Sequence, residues 1–307
     1  MTFAASQPDN SVLIVGAGIA GMAAALHLSH QGLPVHLLDS APSIGGSMHL
    51  LDQTVPPTSC GLCLMLPHQP AFCPTFECDL HPHLHLLPYT DLLHLDGQPG
   101  HFSATLHHKP RYVDPARCTA CGECAAVCPE ARPHDYEGRL HPVKAIYRPP
   151  GLRAVPDAWL IDKVVCTRCG RCVDACPTHA IDLDMQPSHT ARPAAAVLLT
   201  PGFAPFDAHL KGEYGYQVYD NVLSALQFER LVSLAGSTVA HLTRPSDGLP
   251  PRRIAFIHCV GSRDNLCNAG YCSSACCMFT AKQVALAKQL DPTLDITVFF
   301  MDLRALG

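Results

Sequence analysis

The chain has 307 residues, 48% hydrophobic and 15% charged, with a formal net charge of −5. That balance describes one large or two modest buried domains and argues against a nucleic-acid partner. Seventeen cysteines, clustered in a chain of this length, exclude a small secreted disulfide scaffold. The early apolar run Val12–Val15 is too short for a signal peptide, and no segment approaches the ~20 apolar residues of a membrane span. A cytoplasmic protein with reduced or metal-bound thiols is expected.

Ser11–Val15 reads as a buried parallel strand, and it opens into Gly16-Ala-Gly18-Ile-Ala-Gly21. A helix over Met22–His30 and a second strand over Pro34–Asp39 follow. This order of strand, glycine turn, helix, strand and acid is the context of a dinucleotide fingerprint. Gly16 would permit the tight turn, Gly18 the approach of a pyrophosphate, and Gly21 the packing of helix on strand. Asp39, 18 residues past Gly21, would accept hydrogen bonds from a ribose. The fingerprint alone does not separate FAD from NAD. The pair Gly45-Gly46, in Pro42-Ser-Ile-Gly-Gly-Ser-Met48, resembles the flavin-side loop of two-dinucleotide-binding flavoproteins and points to FAD.

Cys60, Cys63, Cys73 and Cys78 fall within 19 residues of one another. They suit either a further cluster or metal, or small buried hydrophobes, since their spacing fits no common framework.

Two runs follow, Cys118-x2-Cys121-x2-Cys124-x3-Cys128-Pro and Cys166-x2-Cys169-x2-Cys172-x3-Cys176-Pro, with 37 residues between them. Each has the spacing by which bacterial-type ferredoxins hold cubane iron–sulfur clusters, the fourth cysteine ligating the other cluster. On that pattern Cys118, Cys121, Cys124 and Cys176 hold one [4Fe-4S] cluster, and Cys166, Cys169, Cys172 and Cys128 the second. A helix is expected to start at each fourth cysteine. Short strands are expected at Ile161-Asp162 and Ala180–Asp182. Zinc, with its separated ligand pairs, and disulfides are the alternatives. So is a structural cluster with no redox traffic.

Ala195–Thr200 reads as a buried strand ending in a Thr200-Pro-Gly202 turn, which resembles the close of a flavin domain. The ferredoxin is then an insertion. A second strand–helix–strand unit spans Arg253–Cys259, Ser274–Leu290 and Asp295–Met301. Its turn, Cys259-Val-Gly-Ser-Arg-Asp264, lacks the glycines a nicotinamide dinucleotide needs. It carries Cys259-x12-Cys272-x3-Cys276-Cys277 instead, with Cys267 in the loop. A strand end and a helix N-terminus favour thiolates, and a third cluster or a reactive dithiol would suit this set. Of the 19 histidines, none is assigned a role.

Together these segments, with Lys109–Asp114, Arg244–Gly248, Tyr271–Ser274 and Met301–Arg304, resemble the A subunit of CoB–CoM heterodisulfide reductase, from residue 11 to the end of the chain. The resemblance implies an α/β fold, a thioredoxin-reductase-like FAD-binding doubly wound fold with an inserted two-cluster α+β ferredoxin. Domain limits of 1–108, 109–190 and 191–307 follow. It further implies that Cys259, Cys272, Cys276 and Cys277 hold a cluster near the flavin, and that the chain passes electrons between FAD and [4Fe-4S] clusters, with flavin-based bifurcation as a family property. The implied partners are other heterodisulfide-reductase-like subunits in a hetero-oligomer, with hydrogenase, formate dehydrogenase or ferredoxin as electron partners. No catalytic acid or base is expected. Family members run longer, so a fragment, a truncated chain or half of a split protein is expected. A sulfur- or quinone-linked relative and a flavin-free iron–sulfur assembly module are the rival functions.

Overall fold

A computed structural model describes residues 10–51, 73–135, 138–149, 154–232 and 242–304. Strand β1 (Val12–Val15), helix α1 (Ile19–His30) and strand β2 (Val35–Asp39) form the first unit of chain. Helix α2 (Pro74–Leu80) leads to β3 (Leu84–Pro88), and β4 (Thr90–Gln98) and β5 (His101–His108) form a hairpin. After the ferredoxin segment come β10 (Ser188–Ala194) and β11 (Ala196–Leu199).

The first sheet is parallel throughout, in the order β11-β1-β2-β3. Its central strands are largely apolar, β1 throughout and β2 apart from His36 and Asp39, because parallel strands are covered on both faces. Leu13, Ile14, Val35, Leu37 and Leu38 are accordingly buried. A second, antiparallel sheet runs β10-β5-β4. Leu13 and Leu38 from the first sheet share a core with Ala104, Leu106 and Ala194 from the second. Both sheets are completed by strands that arrive only after the cysteine runs, so the ferredoxin segment is an insertion between β5 and β10.

Within the insertion lie α3 (Glu123–Ala126), β6 (Ala131–Pro133), β7 (Pro142–Lys144), β8 (Ile146–Tyr147), β9 (Leu160–Ile161) and α4 (Arg171–Ala175). Its two halves repeat one conformation. Ala120 and Arg168 both take positive φ, and Gly122 (φ 88°) and Gly170 (φ 79°) both sit left-handed immediately before their helices. Such φ values are strained for any residue with a Cβ, which is why glycine stands at both helix entries. The expected helix start is corrected here. Each helix carries the third cysteine and ends before the fourth, so Cys128 and Cys176 lie beyond it. The expected strand at Ala180–Asp182 is reduced to a single bridge between Ile181 and Val113.

The described residues divide into two compact units. One lies within Met1–His49, Leu62–Arg132 and Pro142–Gly202, the other within Leu50–Gly61, Pro133–His141 and Phe203–Gly307. In the second, α5 (Ala225–Val232) precedes β12 (Arg253–Ile257), α6 (Cys276–Leu290) and β13 (Asp295–Phe299), and the two strands pair in parallel. Phe228, Val232, Ala287 and Leu294 form its core. Beneath it Lys282 pairs with the fully buried Glu229, whose other oxygen accepts from Gln283 at 3.2 Å.

Candidate redox-cofactor sites

The glycine turn leaves β1 at Gly16, whose φ is 107°, and a Cβ there would lie 2.1 Å from the Thr200 carbonyl oxygen. Thr200 closes the turn from the other side, its hydroxyl donating to the Gly16 carbonyl at 2.7 Å. Gly202 follows at φ 74°. A Cβ on Gly21 would lie 1.8 Å from the Gly16 oxygen, so α1 can start this close to the turn only with glycine there. A Cβ on Gly18 would meet nothing within 4 Å. The second loop faces it: the Gly45 amide donates to the Ala17 carbonyl at 2.8 Å, and a Cβ on Gly46 would come 2.8 Å from the Gly18 Cα. The glycines therefore keep a strip of bare backbone at the N-terminus of a helix, the form of site that takes a phosphate.

Asp39 does more than the sequence suggests. Its Oδ2 accepts from the Ala17 amide at 2.7 Å and its Oδ1 from the Ala41 amide at 2.8 Å, so the acid pins the turn. A carboxylate has about four lone-pair positions, which leaves acceptor capacity for a ribose.

In the insertion the cysteines line two concavities. Cys118, Cys121, Cys124 and Cys176 line one, with Trp159, Ile181 and Val113. Cys166, Cys169, Cys172 and Cys128 line the other, with Ile146, Ile161 and Leu183. They enclose about 290 and 330 Å³ of space open to solvent. Four sulfurs set in apolar walls, with no carboxylate among those sulfurs' near liners except Glu130, suit a soft thiolate-bound iron–sulfur cluster. Burial pushes the Cys124 thiol up to about 12 and raises Cys172. Burial also pushes Cys176 up, but hydrogen bonds from the Ala180 amide and from Thr178 outweigh it and leave that thiol below its ordinary value. The Ala180 amide lies 3.3 Å from its sulfur.

Three connections tie the dinucleotide loop to the insertion. The Val155 amide donates to the Ser43 hydroxyl at 2.8 Å, the Ile44 amide donates to the Val155 carbonyl at 3.2 Å, and Arg111 donates to the Pro42 carbonyl at 2.6 Å. Arg111 is buried and also reaches the Ala158 carbonyl at 3.3 Å.

In the second unit Cys259 sits just past β12 at φ 59°, and Cys276 and Cys277 open α6. Burial pushes Cys276 up, but hydrogen bonds from the Cys259 amide, Ser273, Cys277 and Cys259 bring it below its ordinary value. Burial raises Cys259, and the neighbouring Cys276 and Cys272 add to the rise. The Cys272 sulfur interacts with Arg304, whose pKa is raised by Asp302 first and by Cys272 after it. The four thiols thus share one locality. His258, to which the sequence assigned nothing, joins them: the donor atoms of His258, Cys276 and Cys277 lie within 4.8 Å of one another. Its position beside Cys259 was visible in the sequence, but one histidine among 19 carries no signal until the fold selects it.

Cys267 stands apart, 3.6 Å from an Asp264 oxygen. Cys73 precedes α2, and Cys78 is fully buried within it, pushed up to about 12 by burial and then by Glu77. Cys60 and Cys63 lie outside the described residues. Among the described residues no helix is long and apolar enough to cross a membrane.

A Rossmann-type nucleotide-binding fold carrying a doubled ferredoxin is the class these features define. Residues 14–70 match the NAD(P)-binding Rossmann-like domain, and residues 111–131 and 159–182 match the 4Fe-4S binding domain. Over nearly its whole length the chain is a homologue of the A subunit of CoB–CoM heterodisulfide reductase. It is 44% identical, over 97% of its length, to the iron–sulfur A subunit of this reductase from Methanocaldococcus jannaschii. It is 43% identical, over 97% of its length, to the A subunit of the H(2)/formate:CoB-CoM heterodisulfide,ferredoxin reductase of Methanococcus maripaludis. The chain spans 44% of the length of each of these two relatives. A Methanosarcina acetivorans relative is the A subunit of a Ferredoxin/F(420)H(2)-dependent CoB-CoM heterodisulfide reductase. It is 36% identical over 98% of this chain and 37% of its own. Among solved structures, L-proline dehydrogenase from P.horikoshii aligns at 12% identity and a TM-score of 0.39, over 97% of this chain and 36% of that one, too distant to carry an argument.

Proposed function

We propose that this chain is the electron-transfer part of a heterodisulfide-reductase-type oxidoreductase, holding FAD on Gly16, Gly18, Gly21, Asp39, Gly45, Gly46 and Gly202. Cubane clusters are assigned to Cys118, Cys121, Cys124 and Cys176, to Cys166, Cys169, Cys172 and Cys128, and to Cys259, Cys272, Cys276 and Cys277. A flavin exchanges electrons in pairs or singly and a cubane one at a time, so together they convert between the two. The protein's part is to place them. The domains assigned are 1–108 and 191–307 for the flavoprotein and 109–190 for the insertion.

The observation that carries the reading is the clamp between Ser43-Ile44 and Val155. It fastens the loop that would cover a flavin to the segment leading into the second cysteine run. A backbone tie at that point would hold a flavin and a cluster at a constant separation. The bare backbone around Gly18 supports the dinucleotide, and the two mixed groups of cysteines support the crossed ligation.

The relatives' names mention heterodisulfide, ferredoxin, hydrogen and formate. By analogy we assign this chain to a cytoplasmic hetero-oligomer with heterodisulfide-reductase-like subunits, exchanging electrons with ferredoxin, a hydrogenase or a formate dehydrogenase. The test is anaerobic reconstitution with iron, sulfide and FAD, followed by iron counting, flavin absorbance and EPR of the reduced protein. Iron for three cubanes with bound flavin is expected. Clusters without flavin would instead favour an assembly module.

A further inference from the structure

We propose that His258 is a positioning residue of the Cys259–Cys272–Cys276–Cys277 centre, donating a hydrogen bond from Nδ1 to the Cys277 sulfur. The inference rests on the reading that these four thiols hold a cluster.

His258 follows the last residue of β12, and its amide donates to the Phe299 carbonyl at 2.9 Å, at the end of the neighbouring strand. The residue is 8% exposed, and its Nδ1 stands 3.7 Å from the Cys277 sulfur. Cys277 itself is buried in the first turn of α6, and its sulfur also takes the Arg304 amide at 3.4 Å. Two nitrogens therefore address one sulfur. A cluster ligand is a thiolate, with lone pairs and no proton. An Nδ1 lone pair facing it would set electron pair against electron pair, so the proton of the neutral ring belongs on Nδ1.

Ligand arithmetic favours a hydrogen-bonding role over iron ligation. Four irons take four protein ligands, and the cysteines supply four, so a fifth group serves the site by hydrogen bonding. Placing the ring there has a cost: Nε2 is buried with no hydrogen-bond partner among the described residues. Leaving a buried polar atom in this way is unfavourable, and a charge-assisted N–H to thiolate bond on the other side of the ring offsets it. Hydrogen bonds to cluster sulfurs are among the settings of reduction potential. By drawing charge from the thiolate they stabilise the more negative, reduced cluster.

The experiment compares the reconstituted wild type, His258→Leu and His258→Asn by iron and sulfide content, potentiometric EPR titration and pulsed-EPR nitrogen coupling. His258→Leu should shift the midpoint of this one cluster to lower potential and leave the ferredoxin pair unmoved. His258→Asn, whose amide N–H stands near the Nδ1 position, should recover most of the wild-type midpoint. The wild type should show the weak nitrogen coupling of a hydrogen bond. An unchanged midpoint in His258→Leu, or the strong coupling of an iron-bound imidazole, overturns the proposal while three cubanes remain. If His258→Leu loses the cluster, the wild-type coupling and the midpoint of His258→Asn decide. A wild type holding iron for only two cubanes overturns the third-cluster reading and this proposal with it.

Discussion

Val155 and Ser43 hold each other across the boundary between the nucleotide-binding fold and its insertion, amide to hydroxyl at 2.8 Å, with both residues buried. The bond joins residues 112 positions apart, so it orders two loops that have no local reason to meet. Ser43→Ala leaves the Val155 amide buried and unpartnered. The expected loss is about 1–3 kcal/mol, read as a lower urea midpoint of the cluster-loaded protein. An unchanged midpoint would show that the clamp holds through the Ile44–Val155 backbone bond and Arg111.

The two cysteine groups predict a pattern of non-additivity. Cys121→Ser and Cys176→Ser line the same concavity and should each cost one cubane. Combined, they should cost no more than either one, because residues serving one site do not add. Cys176→Ser with Cys169→Ser should instead remove both clusters of the insertion. Iron content and EPR spin counts distinguish these outcomes. Loss of the same cluster by Cys176→Ser and Cys169→Ser would refute the crossed arrangement.

The glycines separate folding from binding. Gly21→Ala drives a Cβ to 1.8 Å from the Gly16 oxygen, and the fold should be destabilised along with nucleotide binding. Gly18→Ala has free space and an ordinary φ of −74°, so stability should hold or rise by about 0.4–1 kcal/mol. Its methyl would nevertheless stand in the bare strip of backbone, and flavin affinity should fall. Thermal unfolding of both variants, with flavin titration of Gly18→Ala, tests the distinction.

Removal of iron gives a pH-dependent prediction. In the apoprotein, burial holds Cys124 protonated to about pH 12, while hydrogen bonds to its sulfur overcome burial and lower Cys176. Since the thiolate is the nucleophile, iodoacetamide at neutral pH should label Cys176 and leave Cys124 unlabelled. Labelling should spread to the buried thiols only as pH rises. Equal labelling of both cysteines at neutral pH, by peptide mass mapping, would contradict these environments.

The buried Lys282–Glu229 pair should be costly to halve. Lys282→Met strands the fully buried Glu229, with an expected loss of about 3–5 kcal/mol. The double variant Lys282→Met with Glu229→Leu should recover much of it, as a double-mutant cycle would show.

Features set by spacing are legible in the sequence. Gly16-x-Gly18-x2-Gly21 and the doubled cysteine runs are local patterns, and a strand ending in a glycine turn can be recognised from neighbours alone. The start of the short helices is not legible there, because a one-turn helix is set by the left-handed glycine before it, at Gly122 and Gly170, as much as by the cysteine at its end. The role of Asp39 is legible only in part. Its capacity to face a ribose follows from position, whereas its bonds to Ala17 and Ala41 depend on how the turn folds back.

What the sequence determined by itself was the inventory of chemistry: bare glycine backbone for a phosphate, and thiols in sets of four. Residue type and short-range spacing carry that information, since backbone reach limits what neighbours can do. The tertiary structure decided the company each group keeps. It set Val155 on Ser43 and His258 on Cys277. Those are contacts between distant segments, created when apolar burial brings the elements together, and no local pattern records them.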